Sequence, residues 1–316
     1  MHAIDPSLES VDDYDDARSL AVVADAAGVH IDAEILGKGT WWMSSQTADS
    51  MGRGRLFLAG DAAHRFPPTG GLGLNCGVQD IHALRWRLAA VSAGHASVEL
   101  LDSYGVERLP VARNNAHQSL TNALKMVHLA TALGTDTEPT SERLRASLAD
   151  ASRTDDIAAA VEMQREHFDL LGLQLGYTYD EGAFVPQGAA IVPGSPSTYE
   201  PTARPGARLP HAWLDDVGGA ATLDLVPINR AVLFSFGAHG TWAEALGAVD
   251  AVIVRVGVDT PTLDAWRMLC GVDATGAMLV RPDQHVAWRA REVTCSTGLS
   301  EAIDAITGRR SVSDAS

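Results

Sequence analysis

The sequence has few cysteines and no long apolar run. Its three cysteines, Cys76, Cys270 and Cys295, stand too far apart for a CxxC pair or a zinc knuckle, and an odd number argues against a disulfide framework. We therefore assign no metal ligands and no redox dithiol. No stretch reaches the ~18 uninterrupted apolar residues that a membrane-spanning helix needs, and no basic-then-apolar leader stands at the start. These absences predict a cytoplasmic protein without a membrane partner.

Positive charge is also scarce. The 316 residues include 24 Lys and Arg against 40 Asp and Glu, which gives a formal charge of −16. Because an acidic surface repels phosphate, we expect no nucleic-acid partner. Acidic residues are concentrated among the first 20, where large apolar groups are few, so we expect a loosely packed start. At roughly 100–200 residues per domain, the length predicts two domains.

Periodic patterns predict one helix and two strands near the start of the chain. Residues 17–27 are alanine-rich with helical spacing and end at Gly28, as a helix stop would. Residues 29–36 alternate apolar and polar side chains, and residues 40–47 form a second strand-like run after two glycines. Two strands alone are marginal in water. The pair is therefore interpreted as part of a larger sheet.

The residue composition and the predicted pattern of helices and strands change near residue 182. Before that point we predict a strand at 55–59, a loop rich in proline and glycine, and helices at 78–91, 104–133 and 141–170. Proline and glycine mark residues 182–210 as a linker. Beyond the linker we predict strands at 221–225, 231–236 and 251–256, helices at 241–246 and 263–269, and a hairpin of 277–281 with 286–289. The predicted fold class is α/β.

The segment between Gly54 and Asp80 carries the chemistry. A strand delivers Asp61 at its carboxyl end, and a loop rich in proline and glycine then leads into a helix. The first amides of that helix come from Gly73, Leu74 and Asn75, and helix N-termini attract negative charge. Glycines allow backbone to approach a planar or charged ligand closely, and a carboxylate accepts hydrogen bonds from sugar-like hydroxyls. The pattern predicts a nucleotide or flavin cradle.

Three neighbouring side chains have alternative interpretations. His64 could be a metal ligand or a base, but no Cys, Asp or His stands at ligand spacing in the sequence, so we expect it to brace the loop. Arg65 is open to two roles, as partner of a cofactor phosphate or of nearby acids. Cys76 at a helix start would have its thiolate favoured, although a small buried cysteine is the commoner case. No catalytic base is assigned.

The string GDAAH followed by RFPPTGGLGLN and a helix resembles the second flavin-binding motif of the FAD-dependent aromatic hydroxylases. These single-component flavoprotein monooxygenases act on phenols and aromatic polyketides. The resemblance implies FAD as cofactor, with NADPH as reductant, and a ribityl contact for Asp61. It places Pro67 and Pro68 beside the isoalloxazine ring. It also places the backbone of Gly73, Leu74 and Asn75 at N1 and O2 of the ring, where a helix dipole stabilises the charge of reduced flavin.

Three further strings extend the resemblance. WWMSSQTAD resembles the substrate-side strand of the family, which implies a substrate pocket at Trp41, Met43 and Gln46. LLDSYGVERLPVA resembles the helix that follows the flavin motif, and RPGARLPHAWL resembles the start of an appended thioredoxin-like domain. The implied organisation is a remnant of the substrate-domain sheet (1–50), a partial flavin-binding unit with a helical connector (51–181), a linker (182–210) and a thioredoxin-like α/β domain without CxxC (211–316).

One family feature does not occur in the sequence. The GxGxxG fingerprint for the ADP half of FAD is missing, and the string from Gly71 to Cys76 fails at the third glycine. The chain therefore resembles the C-terminal component, or a truncated form, of a hydroxylase acting on an aromatic small molecule. We expect homo- or hetero-oligomerisation through the face left by the missing region. Two alternatives stay open: a flavin-free binding or assembly protein, and a non-redox enzyme such as a cyclase.

Overall fold

The fold is taken from a computed structural model, which divides the chain into two compact units, Met1–Met43 and Ser44–Ser316. The structure describes residues 4, 7–136, 140–188, 194–215, 217–247, 249–295 and 298–309. Residues 189–193 of the predicted linker lie outside this range. The four-part domain organisation stays a prediction. No helix in the described part of the chain is both long enough and apolar enough to cross a bilayer.

The N-terminal unit contains a single α-helix among its described residues, Asp16–Ala27 (α1). The Asp15 side chain accepts a hydrogen bond from the Arg18 amide over 2.7 Å and so starts the helix, and Gly28 ends it in the left-handed conformation at φ 69°. The predicted strand at 29–36 is wrong, since these residues form no ladder. The alternation of apolar and polar residues predicted a strand, but a strand needs a partner, and no described residue pairs with this segment.

The larger unit begins with short strands that frame the predicted loop. The four strands are Gln46–Thr47 (β1), Gly52–Arg53 (β2), Leu56–Phe57 (β3) and His64–Arg65 (β4). β1 pairs with β4 and β2 pairs with β3, both antiparallel. The strand predicted at 40–47 is therefore confined to β1, and the one predicted at 55–59 is confined to β3.

Helices supply most of the unit before residue 182. They are Leu72–Ser92 (α2), Asp102–Ala132 (α3), Ser141–Ala149 (α4), Thr154–Glu162 (α5) and Leu171–Leu175 (α6). Helix α2 starts six residues earlier than predicted, directly after Gly71. The single helix predicted at 141–170 is divided, because the Asp150 carboxylate accepts from the Ser152 amide over 2.9 Å and closes a new turn there.

The C-terminal part forms a four-stranded mixed sheet with helices. Its elements are Ala231–Phe236 (β5), His239–Leu246 (α7), Ala251–Val256 (β6), Asp264–Leu269 (α8), Ala277–Val280 (β7), Val286–Ala290 (β8) and Leu299–Ile306 (α9). The strand order is β6-β5-β7-β8, with β5 parallel to β6 and the other pairs antiparallel. This βαβαββα order is the predicted thioredoxin-like topology. Both faces of β5 are buried, as a central strand requires.

One predicted strand of this part is wrong. Residues Thr222–Leu225 form a 3-10 turn instead of a strand. The Asp224 carboxylate accepts from the Ala221 amide over 2.8 Å, and this local bond competes with strand pairing.

Candidate functional site

Asp61 stands on a tight turn at the mouth of an open groove. The turn, Gly60–Ala62, is a 3-10 helix that follows β3, and the Asp61 side chain is exposed. The groove has a volume of about 640 Å³. It is lined by Ala59, Gly60, Asp61, Gly73, Leu74, Gly77, Val78 and Ile81. Three of these residues are glycines, so backbone forms much of the wall.

The start of α2 forms the opposite wall. Its N-cap residue, Gly71, is left-handed at φ 64°, and no side chain caps the first turn. The first amides of a helix lack partners within the helix, so those near Gly73 and Leu74 remain available at the groove. Asn75 is exposed, and its side-chain amide donates to the Gly71 carbonyl over 2.9 Å. This bond fixes the first turn of the helix.

Helix α3 holds the proline-rich loop in place. The Ser119 hydroxyl donates to the Pro67 carbonyl over 2.6 Å, and the Thr69 hydroxyl donates to the Ser119 carbonyl over 2.5 Å. Pro67 is buried and Pro68 is exposed. Neither proline lines the groove. Sequence reasoning missed Ser119, because it is 50 residues away from Thr69 along the chain.

A buried ionic cluster lies beneath the turn. Nε2 of His64 lies 2.6 Å from Oδ2 of Asp80, and Nε of Arg108 donates to Oδ1 of Asp80 over 2.8 Å. The Gly60 amide donates to Oδ2 of the same carboxylate over 3.1 Å. Asp80 therefore connects α2 to β4, to α3 and to the turn that carries Asp61. All three side chains are buried.

Their partners in this cluster keep His64 and Asp80 charged. Burial alone would lower the pKa of His64, but the hydrogen bond to Asp80 and the nearby Cys76 sulfur raise it to about 9. Burial alone would raise the pKa of Asp80, but His64 and Arg108 hold it below its usual value. His64 therefore carries a proton at neutral pH. Its ring also stacks on Phe66 with centroids 4.8 Å apart.

The sequence-based view that His64 lacks Cys and Asp partners is wrong in three dimensions. Ligand atoms of His64, Cys76 and Asp80 lie within 4.8 Å of one another, all buried. Such a trio could bind a cation. However, Arg108 already occupies one oxygen of Asp80, and its Nη2 lies 3.5 Å from the Cys76 sulfur. A permanent positive charge at that position opposes a divalent metal.

The predicted substrate residues are divided between the two units. Trp41 and Met43 belong to the N-terminal unit and are exposed, with no strand around them. Gln46 lies on β1 in the larger unit, where its side-chain oxygen accepts from Arg65 over 3.0 Å. Arg65 thus contacts an amide here. The substrate role of Trp41, Met43 and Gln46 stays a prediction.

Comparison with known families assigns the two halves of the chain separately. Residues 9–119 match the FAD binding domain family. Residues 202–310 match the family described as aromatic-ring hydroxylase, C-terminal. The first match contains the groove, and the second contains the thioredoxin-like sheet.

Individual relatives agree with both matches. The phenol 2-monooxygenase of Pseudomonas sp. (strain EST1001) is 32% identical over 88% of this chain, and the tetracenomycin A2 monooxygenase-dioxygenase of Streptomyces glaucescens is 33% identical over 97%. The crystal structure of the flavin-dependent monooxygenase PieE with FAD and substrate covers 97% of the chain at 31% identity, with a TM-score of 0.85. The chain belongs to the FAD-dependent aromatic hydroxylases.

The hydroxylase relatives are longer than this chain. It spans about half the length of the curated relatives, 49% of the phenol 2-monooxygenase and 51% of the tetracenomycin A2 enzyme. It spans 57% of the PieE chain. Activity, substrate and partners of the whole hydroxylase are therefore matters of proposal for these 316 residues.

The larger unit contains a second buried cluster that sequence reasoning missed. Glu107 on α3 pairs with Arg87 of α2 at 2.6 Å and with Arg281, after β7, at 2.7 Å. Arg281 also pairs with Asp283 at 2.6 Å. One signal was readable: Asp80 and Arg87 share the helical spacing of apolar Ala83 and Leu84, which are buried. Charges on an apolar face predict buried partners.

Proposed function

We propose that this chain supplies the ring end of the FAD site and the thioredoxin-like domain of a monooxygenase that hydroxylates an aromatic compound. The observation that carries the proposal is the groove between Asp61 and the uncapped start of α2. The groove lies within the segment that matches the FAD binding domain family.

The residues of the groove fit the ribityl and ring part of a flavin. Gly60, Gly73 and Gly77 present no side chains, so a planar ring can approach the backbone. The exposed Asp61 carboxylate would accept hydrogen bonds from ribityl hydroxyls. The amides near Gly73, Leu74 and Asn75 would face the electron-rich edge of the ring. Pro67 and Pro68 would confine the loop beside it.

The chemistry is divided between the cofactor and the chain. When bound, FAD would supply the oxygen chemistry: with NADPH as reductant, one atom of dioxygen would enter an electron-rich aromatic ring and the other would leave as water. The residues of this chain orient the flavin and stabilise negative charge near the start of α2, where a helix dipole contributes ~0.3–2 kcal/mol. We propose that Trp41, Met43 and Gln46 contact the aromatic substrate. Relatives named for phenol and tetracenomycin support this substrate class.

The groove also has an apolar outer wall that needs a cover. Leu74, Val78 and Ile81 on α2 are 81%, 60% and 54% exposed. Helical spacing puts these three side chains on one face, and exposed apolar faces of this kind usually bind a partner. We propose that a segment carrying the GxGxxG fingerprint covers this face and contacts the ADP half of FAD. The named relatives are oxygenases, and nothing in the described ranges favours a flavin-free binding protein or a cyclase.

Turnover tests the proposal. The purified chain is mixed with the separately expressed N-terminal half of a relative, FAD, NADPH, a phenol and ¹⁸O₂. We expect a product that carries one ¹⁸O atom only when both proteins are present. Asp61→Asn should abolish the labelled product, while the matched surface change Asp273→Asn, in the thioredoxin-like part, should not. Product of equal yield without this chain would refute the proposal.

A further inference from the structure

The Asp80 carboxylate contacts three different partners. Its side chain is fully buried, and its two oxygens accept from Arg108, His64 and the Gly60 amide. The first two partners are cations, which offset the cost of burying a carboxylate. The third partner is a neutral backbone amide in the turn that carries Asp61. This third contact links the cluster to the groove.

Among the residues that the structure describes, no other side chain accepts a hydrogen bond from this turn. Its N-cap residue, Ala59, has no side chain that could accept a hydrogen bond. Gly60 itself is left-handed at φ 55°, and its amide points to Asp80 on α2, to which it donates over 3.1 Å. The Asp80 carboxylate takes the place of the missing cap from 20 residues away. The orientation of the peptide before Asp61 is therefore fixed from α2.

The carboxylate is itself held without freedom to rotate. Arg108 donates to one oxygen at 2.8 Å, while His64 contacts the other at 2.6 Å. Arg108 also reaches the Cys76 carbonyl at 3.4 Å and Gln79 at 3.2 Å on α2. A charge-assisted bond on each oxygen fixes the plane of the carboxylate. A fixed carboxylate gives the Gly60 amide a single favourable orientation.

We propose that Asp80 is a positioning residue of the flavin site, which holds the Gly60 amide and thereby aims the Asp61 carboxylate into the groove. The inference rests on the proposed function of Asp61. Asp80 does not reach the groove, since it is absent from the groove lining and fully buried. It acts through the turn, and Arg108 and His64 act through Asp80.

Two variants of Asp80 separate positioning from bulk stability. Asp80→Asn removes the negative charge. It also places a side-chain NH₂ group against one of the groups that now donate to Asp80. Asp80→Glu keeps the charge beside Arg108 and His64 but lengthens the side chain by one methylene, which disturbs the 3.1 Å contact with the Gly60 amide. The matched control is Glu107→Gln, a buried acid of the second cluster that makes no bond to the turn.

The first measurement is amide hydrogen exchange in the segment that contains Gly60. We expect exchange there to become about tenfold faster in either Asp80 variant than its loss of global stability accounts for, because the local opening becomes easier. In Glu107→Gln it should change only as much as global stability does. Should Asp80→Asn not fold, Asp80→Glu still gives the comparison. Exchange of this segment that is equal in wild type and in every folded Asp80 variant overturns the positioning role.

The second measurement is a double-mutant cycle on riboflavin affinity. Asp61→Ala should weaken riboflavin binding about tenfold in wild type and in Glu107→Gln, but only about twofold in the folded Asp80 variant, because Asp61 is no longer aimed. Equal effects in all three backgrounds overturn the coupling. Wild-type protein that does not bind riboflavin counts against the proposed function, whereas the exchange result still decides whether Asp80 holds the turn.

Discussion

Gly77 of α2 passes directly against Gly60 of the Asp61 turn. A Cβ atom at Gly77 would lie 3.2 Å from the Cα of Gly60, which is closer than such atoms normally approach. A Cβ at Gly73, one turn earlier in the same helix, would meet nothing within 4 Å. The two glycines are therefore needed for different reasons. Gly77 allows the turn to pack on the helix, and Gly73 leaves the groove open.

This contrast predicts opposite effects of the same substitution. Gly77→Val should lower the free energy of unfolding by ~1–3 kcal/mol, because a branched side chain must displace the turn. Gly73→Val should leave stability close to wild type, since the position is open. Both variants should weaken flavin binding, Gly77→Val by moving Asp61 and Gly73→Val by filling the groove. Urea unfolding and riboflavin titration measure the two effects, and equal stability of the variants would contradict the docking contact.

The raised pKa of His64 predicts a loss of stability at alkaline pH. The value is about 9 in the folded protein against 6.5 for the free side chain, so the folded state binds the proton more tightly. The stabilisation is complete below pH 6.5 and is lost as the pH rises through about 9. At ~1.4 kcal/mol per pKa unit, it is on the order of 3 kcal/mol.

The test for His64 is the urea midpoint measured between pH 6 and 10. The wild-type midpoint should fall across this range, and the fall should be much smaller in His64→Gln. His95→Gln changes an exposed histidine and should keep the wild-type slope. An identical slope in His64→Gln and wild type would show that the His64–Asp80 pair does not carry the effect.

Glu107 should be among the most sensitive positions for folding. Burial alone would raise its pKa, but Arg281 and Arg87 hold it below the usual value, so it is ionised between two cations. Glu107→Gln leaves buried positive charge uncompensated and should lower the free energy of unfolding by ~3–5 kcal/mol. Asp259→Asn, which breaks the exposed pair with Arg255, should change the urea midpoint little. Equal midpoints for the two variants would refute the structural role of Glu107.

Local signals in the sequence predicted a large part of this fold. The strands at 231–236 and 251–256 match β5 and β6 to the residue, because both are mostly apolar runs of strand length. The central strand β5 is buried along its whole length, whereas the edge strand β6 is only partly buried. The glycine-rich motif placed the first helix amides near Gly73, close to the observed start of α2 at Leu72, whereas the apolar periodicity put the helix start only at residue 78. In these segments local preference and tertiary packing agree.

Other features depend on contacts that no local pattern encodes. The alternation at 29–36 predicted a strand, but pairing decides whether a strand forms, and these residues pair with no strand in the described part of the chain. Glu107 and Arg281 are 174 residues apart, and the contact between Asp80 and Arg108 joins two different helices. The helical spacing of Asp80 and Arg87 predicts only that these two side chains are buried. Their partners required the three-dimensional structure.

The most direct test of the ring-end site compares riboflavin, FAD and ADP as ligands of the purified chain. Because the groove fits the ring and ribityl part, riboflavin and FAD should bind with similar affinity, measured as quenching of flavin fluorescence, and ADP should not compete. Asp61→Asn should weaken the binding of both flavins about tenfold, whereas Asp273→Asn should not. Displacement of riboflavin by ADP, or equal affinities for wild type and Asp61→Asn, would contradict the assignment of the groove between Asp61 and Gly73.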